Sequence, residues 1–382
     1  MSETKSILAA ASFAVAGLLL ANADVAPATA AEADPPAAVA GNSPLSVQLD
    51  YLIWNVSGDK LPALVSTGLL GAPGTQILYG NSTVNDDWRS GGQITARWLF
   101  DPSHNAGAEI SFFDLGDASS RFSTDSSAHP NLDLPFIDAT SGLPVAFLAG
   151  VPGAISGGVT VSDTSRFLGL RALYRRALGA MGKEHFSALI GYRFLYENDQ
   201  LDISTSALQL SGPVAGTFVA QRSSFGATNS FHGLDVGIGG DIAEGPWRIA
   251  WRAQLALGAS INNARIDGVT TGTFAGTTMT FAGGSFALPT NIGARSQAQF
   301  AVVPEFSLTA GYEFMPSWQL IAGFDVIYWT GVQRAGKLID TTLNPNLIPP
   351  GNGLGGPQRP AARFDTGALL AEGFTLGVKH AF

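Results

Sequence analysis

Four arginines and four carboxylates recur at positions that could do chemistry together: Arg97, Glu109, Arg171, Arg193, Asp235, Arg252, Glu305 and Asp325. Each sits in a stretch where apolar and polar residues alternate, so each belongs to the polar face of a β-strand. Charges of both signs facing one enclosed space have two uses. They line a water-filled path and select what passes, or they pair and close it. Asp241 and Arg248 flank a short turn, as Arg97 and Glu109 flank another, and both pairs are expected to face each other. Other constellations are weaker. Asp86-Asp87 with His129, or Ser230 with His232, would be the acid–His or Ser–His groups of a hydrolase, a remote reading. Asp117, Asp125, Asp133, Asp138 and Asp163 make an acidic loop without the spacing of a calcium loop. No metal or cofactor site is expected, and no catalytic residues are assigned. Gly237-Ile238-Gly239-Gly240 opens no helix, which excludes a nucleotide loop.

The elements that hold these residues are strands. Residues 247, 249, 251, 253, 255, 257 and 259 are Trp, Ile, Trp, Ala, Leu, Leu and Ala, while 248 and 252 are Arg and 254 is Gln. A helix cannot separate those sets and a strand does so automatically. The pattern repeats ten times, near 45–54, 91–100, 106–115, 165–176, 185–197, 230–242, 246–260, 300–314, 317–330 and 369–382. Strands of about ten residues, apolar on one face and polar on the other, fit a transmembrane barrel, though periodicity alone does not separate it from a soluble sandwich or barrel of reverse sense. Their connections alternate. Short links lie at 101–105, 179–183, 244–246 and 315–317; long ones run 55–90, 116–164, 198–229, 261–299 and 331–368. This is the habit of outer-membrane barrels, with short periplasmic turns and long external loops. The expected fold is therefore all-β: a transmembrane antiparallel up-and-down β-barrel of ten strands, or twelve if 199–226 hides a hairpin. Trp98, Tyr174, Trp247, Tyr312 and Trp318 near the turns, and Tyr328 near the loops, read as interfacial aromatic girdles. Arg in place of outward Leu255 or Val236 should impair insertion, and in place of Gln254 or Gly237 should cost much less.

Composition agrees. Of 382 residues only 13% are charged, against about 25% in an average soluble domain. The net charge of -9 and the lack of a basic face argue against a nucleic-acid partner. No cysteine is present, which excludes a disulfide scaffold. Lys5, the apolar run 7–20 and the small-residue sites 21–23 and 28–30 have the form of a cleaved signal peptide over 1–30. A flexible Ala/Pro-rich arm follows over 31–44, then the barrel over 45–382. Phe374, Leu376, Val378 and Phe382 alternate up to a terminal aromatic, as in the C-terminal signal read by the barrel assembly machinery. That machinery and outer-membrane lipid are the expected partners.

Several segments resemble the putative beta-barrel porin-7 family of outer-membrane proteins. They are Tyr51-Leu52-Ile53-Trp54, residues 61–68, Leu70-Gly71-Ala72-Pro73-Gly74-Thr75, Ser90-Gly91-Gly92, residues 287–293 and 300–305. They continue as Tyr328-Trp329 through Arg334, Ile339-Asp340, Asn344-Pro345 and Ile348-Pro349-Pro350. Two departures are Ile53-Trp54, where the family often has two Trp, and Arg334-Ala335-Gly336, where Arg-Pro-Gly is usual. The resemblance implies an outer-membrane barrel of porin type and transfers no catalytic residue. The functional expectation is passive passage of small solutes through a narrow mixed-charge lumen. The alternative is a plugged structural or adhesion barrel whose external loops carry recognition.

Overall fold

A computed structural model describes residues 44–100, 103, 105–349 and 355–382. The segments expected as signal peptide and arm, up to residue 43, lie outside the described residues. The chain is all-β. Ten long strands follow one another: β1 Leu45–Val56, β2 Trp88–Leu99, β3 Ala106–Asp125, β4 Ile155–Met181, β5 Glu184–Gln209, β6 Phe218–Glu244, β7 Trp247–Phe274, β8 Gly293–Met315, β9 Trp318–Gln333 and β10 Thr366–Ala381. Each pairs antiparallel with its chain neighbour, and β10 pairs back onto β1 from Ala381↔Ser46 to Ala371↔Val56. The result is an up-and-down ring of ten that leaves no open edge, which removes the unpaired backbone groups a sheet edge would expose.

At one end the links are short: three are two residues long, Gly182-Lys183, Gly245-Pro246 and Pro316-Ser317, and the link from β2 to β3 spans 100–105. Gly182 (φ 63°) and Gly245 (φ 57°) occupy the left-handed region that such tight links require. The strands reach this turn end where expected. Toward the other end they run much further: β4 begins at Ile155 rather than near 165, and β6 at Phe218 rather than near 230. Residues 199–209 and 218–226 are continuations of β5 and β6, not an extra hairpin in the ring. Much of what reads as loop in the sequence is strand.

The outward face is apolar through the middle of the ring: Leu49, Ile94, Ile110, Ile190, Leu234, Leu308, Leu320 and Leu376 are all exposed. Beyond it the alternation changes sense. On β4, Val159 and Val161 are buried inside while Thr160 and Ser162 face out; on β5, Leu201 and Ile203 are inside while Gln200 and Ser204 face out. Inside the loop end lies an apolar core to which loops and ring both contribute. Leu61, Leu64, Val65, Leu132, Leu134, Phe286, Leu338 and Leu343 from connections pack on Val159, Val161, Leu201, Ile203, Phe225 and Ile266 from strands. A small sheet built on Leu132–Asp138, with Pro144–Gly150, Val65–Ser66 and Thr342–Leu343 beside it, organises those connections. The loops are thus folded on and into the ring.

Candidate functional site

The ring interior has four levels, and strand register sets each one. Nearest the turns is a cavity of about 820 Å³, lined by Arg97, Arg175, Arg248 and Lys379 with Asp241 as the acid among the described lining residues. Arg248 Nη2 lies 2.6 Å and Arg175 Nη2 3.3 Å from the two oxygens of Asp241.

Above it runs a belt of ion pairs. Glu109 on β3 accepts Arg97 from neighbouring β2 at 2.7 Å and Arg252 from β7, on the far side of the ring, at 2.8 Å. Arg171 on β4 reaches across to Glu305 on β8 (2.5 Å) and Gln254 on β7 (2.9 Å). Arg193 holds the other oxygen of Glu305 at 2.7 Å. Gln254 in turn donates to Asp235 at 3.1 Å, and Thr375 donates to Asp325 at 2.6 Å. All eight charges singled out in the sequence face this space. Six of them join ion pairs, while Asp235 and Asp325 are held by neutral donors. Cross-lumen pairs in a confined interior stay favourable only with this degree of mutual satisfaction.

The third level is apolar. Ring centroids run Trp54 to Phe113 at 5.3 Å, Phe113 to Phe167 at 5.3 Å, Phe167 to Trp329 at 6.5 Å and Trp329 to Phe231 at 6.3 Å. These five residues come from β1, β3, β4, β9 and β6, so the chain of rings crosses the lumen. Leu52, Leu115, Leu195, Val303, Ile327 and Leu369 complete the layer, and Phe167, Phe231 and Trp329 are 0% exposed. Gly169 lets it form: a Cβ there would lie 2.5 Å from the Phe113 ring. We call this layer the diaphragm.

The fourth level is a buried polar knot under the loop core. Arg334, at the start of the 334–365 connection, is clamped by Asp199, with Glu197 3.5 Å away and Ser57 O at 2.8 Å. The next turn is a 3-10 helix, Ala335–Leu338, whose Gly336 N–H donates to Asp59 at 2.5 Å. Asn229 accepts Gln333 N–H at 2.8 Å and donates to Gln333 O at 2.8 Å. Asp59 opens the short strand Asp59–Leu61 within the 57–87 connection, and its burial pushes the carboxyl up from 3.8 to about 6 against the pull of Arg334.

A family model described as Putative beta barrel porin-7 matches residues 47–382. The chain belongs to that family. Porin-like β-barrel proteins of the outer membrane are therefore its kin. Of the segments that carry the likeness, 61–68, 287–293, Arg334 and Ile339-Asp340 lie in or beside the loop core and the knot. No curated protein is similar to the chain. Solved structures give distant likenesses. The outer membrane protease OmpT from Escherichia coli is 8% identical over 91% of this chain and 99% of that one, with a TM-score of 0.35. A deltaS2S3 mutant of the TodX monoaromatic hydrocarbon channel is 10% identical over 90% and 91%, TM-score 0.28. The translocator domain of the autotransporter NalP from Neisseria meningitidis is 10% identical over 89% of each, TM-score 0.25. Their bearing on this chain ends there.

Of the girdle residues, Trp98, Tyr174, Trp247, Tyr312 and Trp318 are exposed on the outer face near the turns, and Tyr328 is half-buried toward the loops. Trp247 and Tyr312 touch at 4.8 Å across the β7–β8 pair. Phe374, Leu376, Val378 and Phe382 face outward on and just past β10, where Phe382 N–H donates to Leu45 O at 3.0 Å. His232 is outward as well and meets Tyr192 at 2.6 Å through Nδ1. What the sequence reading misses is the diaphragm and the knot. A signal for the first exists: from Tyr51 to Val56, and again at Ile110 to Leu115, both faces of the strand turn apolar. A polar lumen face would not do that. The knot has no such local signal, since its members lie at 59, 197, 199, 229 and 334.

Proposed function

We propose that the protein is a ten-stranded transmembrane barrel of the outer membrane, with its turns in the periplasm and its loops outside. Its lumen is shut at rest. Small solutes pass only when the diaphragm and the loop plug above it rearrange. The observation that carries this reading is the continuous run of rings from Trp54 to Phe231 across the lumen, closed on both sides by paired charges. The placement in lipid rests on the outer surface. Trp88 and Trp98 both face out, ten residues apart on β2. At about 3.3 Å per residue and a tilt near 40°, they stand roughly 25 Å apart along the barrel axis, the height of an outer-membrane apolar band. Trp88 stacks with Phe374 (6.1 Å), which meets Phe324 (5.4 Å), giving the loop-side girdle. The change of alternation on β4 and β5 falls just beyond it, as expected where lipid gives way to water.

The test is single-channel recording from the refolded mature protein, with heat-modifiable gel migration as proof of folding. The reading expects a silent or rarely open channel. A large steady conductance would overturn the closed state. A second reading, recognition by the external loops, is favoured by apolar residues at the far hairpin tips. Leu210, Val214 and Phe218 at the β5–β6 tip, and Phe274 and Met279 at and just past the end of β7, are exposed. From Phe194 to Gln209 the β5 strand runs a further ~50 Å. Cell or matrix binding lost on trimming those tips, with no channel under any condition, would favour it.

A further inference from the structure

The turn-side cavity holds a charge excess that its own contacts do not balance. Arg97 and Arg252 share Glu109, and Arg175 and Arg248 share Asp241. Arg171 also approaches Glu109, at 4.0 Å, but it is matched by Glu305. Lys379 lines the cavity and its deeper continuation, and its ammonium makes no hydrogen bond or ion pair with any described residue. Arg97, Arg175, Arg176, Arg248 and Lys379 thus line the cavity against one described carboxylate, Asp241, while Glu109 in the belt above is already shared by Arg97 and Arg252. The chain as a whole carries -9, so the excess is local. The belt above has the opposite balance, with Asp50, Asp235, Asp325 and Glu305 against Arg171 and Arg193.

Like charges gathered in a walled cavity repel, and low-dielectric walls concentrate their field. Two of the guanidinium groups, Arg175 and Arg248, share a single acid, so each keeps N–H donors for another acceptor. A guanidinium presents those donors as a flat fork that matches a tetrahedral or planar oxyanion. Lys379 adds a point charge with three donors and no partner. The cavity lies inside the ring wall and is lined by Ser103, Gly179 and Ser317 at the turns, so the route for a ligand is from the aqueous phase on that side.

We propose that this vestibule is a binding site for a small multivalent oxyanion of the phosphate class, held between Lys379 and the Arg175–Arg248 pair. The site does not require the lumen to conduct, so it stands or falls separately from the closed-channel reading.

Calorimetry on the refolded full barrel in a phosphate-free, non-ionic detergent tests it, with inorganic pyrophosphate as the probe. The expected result is saturable one-to-one binding that weakens as salt rises. Lys379→Gln should weaken it about tenfold or more, close to the worth of one lost charge-assisted contact. Arg248→Gln is the second variant, in case the first does not fold, and should weaken binding as well. Lys183→Gln, at a turn outside the cavity where Lys183 meets Glu244 at 2.9 Å, should leave binding unchanged. No saturable binding by the folded protein would overturn the proposal. So would binding that survives in both cavity variants, or that falls equally in the Lys183 control.

Discussion

At the turn end of the ring, two-residue links such as Gly182-Lys183 are too short to reach the axis, and the interior there is a cavity of about 820 Å³ rimmed by arginines. At the loop end, parts of the connections 57–87, 126–154, 275–292 and 334–349 fold inward and the interior is packed with Leu, Val and Phe. The same ten strands wall both ends. What differs is the length of chain available to fill them. A barrel of this girth has a lumen that side chains nearly span, so its upper half is closed by loops and its lower half is left to water and charge. A vestibule charge such as Arg248, with its side chain 42% exposed, keeps solvent as a second partner; one in the knot depends wholly on its neighbours.

The largest effect that would break this comparison is at the boundary between the halves. Trp329→Ala removes the ring that joins Phe167 to Phe231. It should cost about 3–5 kcal/mol of stability and turn a silent barrel into a leaky one in bilayer recordings. A variant that stays both stable and silent would show that the diaphragm is not the seal.

Removing one cation from each half comes next. Arg334→Ala strips Asp199, Glu197 and Asp59 of their shared counter-ion in a buried knot. A loss of about 3–5 kcal/mol is expected, read as early protease cleavage in 334–365. Arg248→Ala should do far less, because Asp241 keeps Arg175 and water. Similar losses at both ends would erase the distinction between a dry half and a wet one.

Inside and outside can be separated at adjacent residues. Leu308 is exposed on the outer wall and Thr309 lines the interior beside the vestibule. Leu308→Arg should cost about 2–4 kcal/mol near mid-membrane, while Thr309→Arg should cost much less, both measured by refolding yield into lipid. The sequence-based choice of Gln254 and Gly237 as tolerant inner positions does not survive. Gln254 bridges Arg171 and Asp235, and a Cβ at Gly237 would lie 2.6 Å from Ala253 O. Facing inward is not the same as facing water.

The smallest effect is with pH. The Asp59 carboxyl titrates near 6 when folded and near 3.8 when free. Its contribution to the knot is therefore full below about pH 4 and is lost as pH rises through 6, at most ~3 kcal/mol. Hydrogen exchange at Gly336 N–H, which donates to Asp59, should quicken between pH 4 and 7 relative to turn-side amides. Exchange that slows instead would reverse the sign of the argument for that loop.

All ten strand centres are legible in the sequence, because an apolar outer face and a polar inner face impose a two-residue period along each strand. The strand ends are not legible. Past the girdle the outward residues become Thr160, Ser162, Gln200 and Ser204 and the inward ones Val159, Val161, Leu201 and Ile203. The alternation persists but its sense inverts, so a search for apolar-out stops too early and assigns the remainder to loops. Likewise the local charge pairs Arg97–Glu109 and Asp241–Arg248 are readable across a turn, since antiparallel register sets the first directly opposite and the second on a diagonal of the same face.

By itself, then, the sequence determined the strand period, the outward apolar band, the eight inward charges and the family of the chain. Only the tertiary structure decided that Arg252 crosses to Glu109 and Arg171 to Glu305, that five aromatic rings meet across the axis, and that Arg334 is buried among acids 135 or more residues away. Periodicity is a property of neighbours along one strand and survives in the sequence. Which residues meet across a closed ring depends on curvature, shear and where long loops come to rest, and those arise only once the ring has closed.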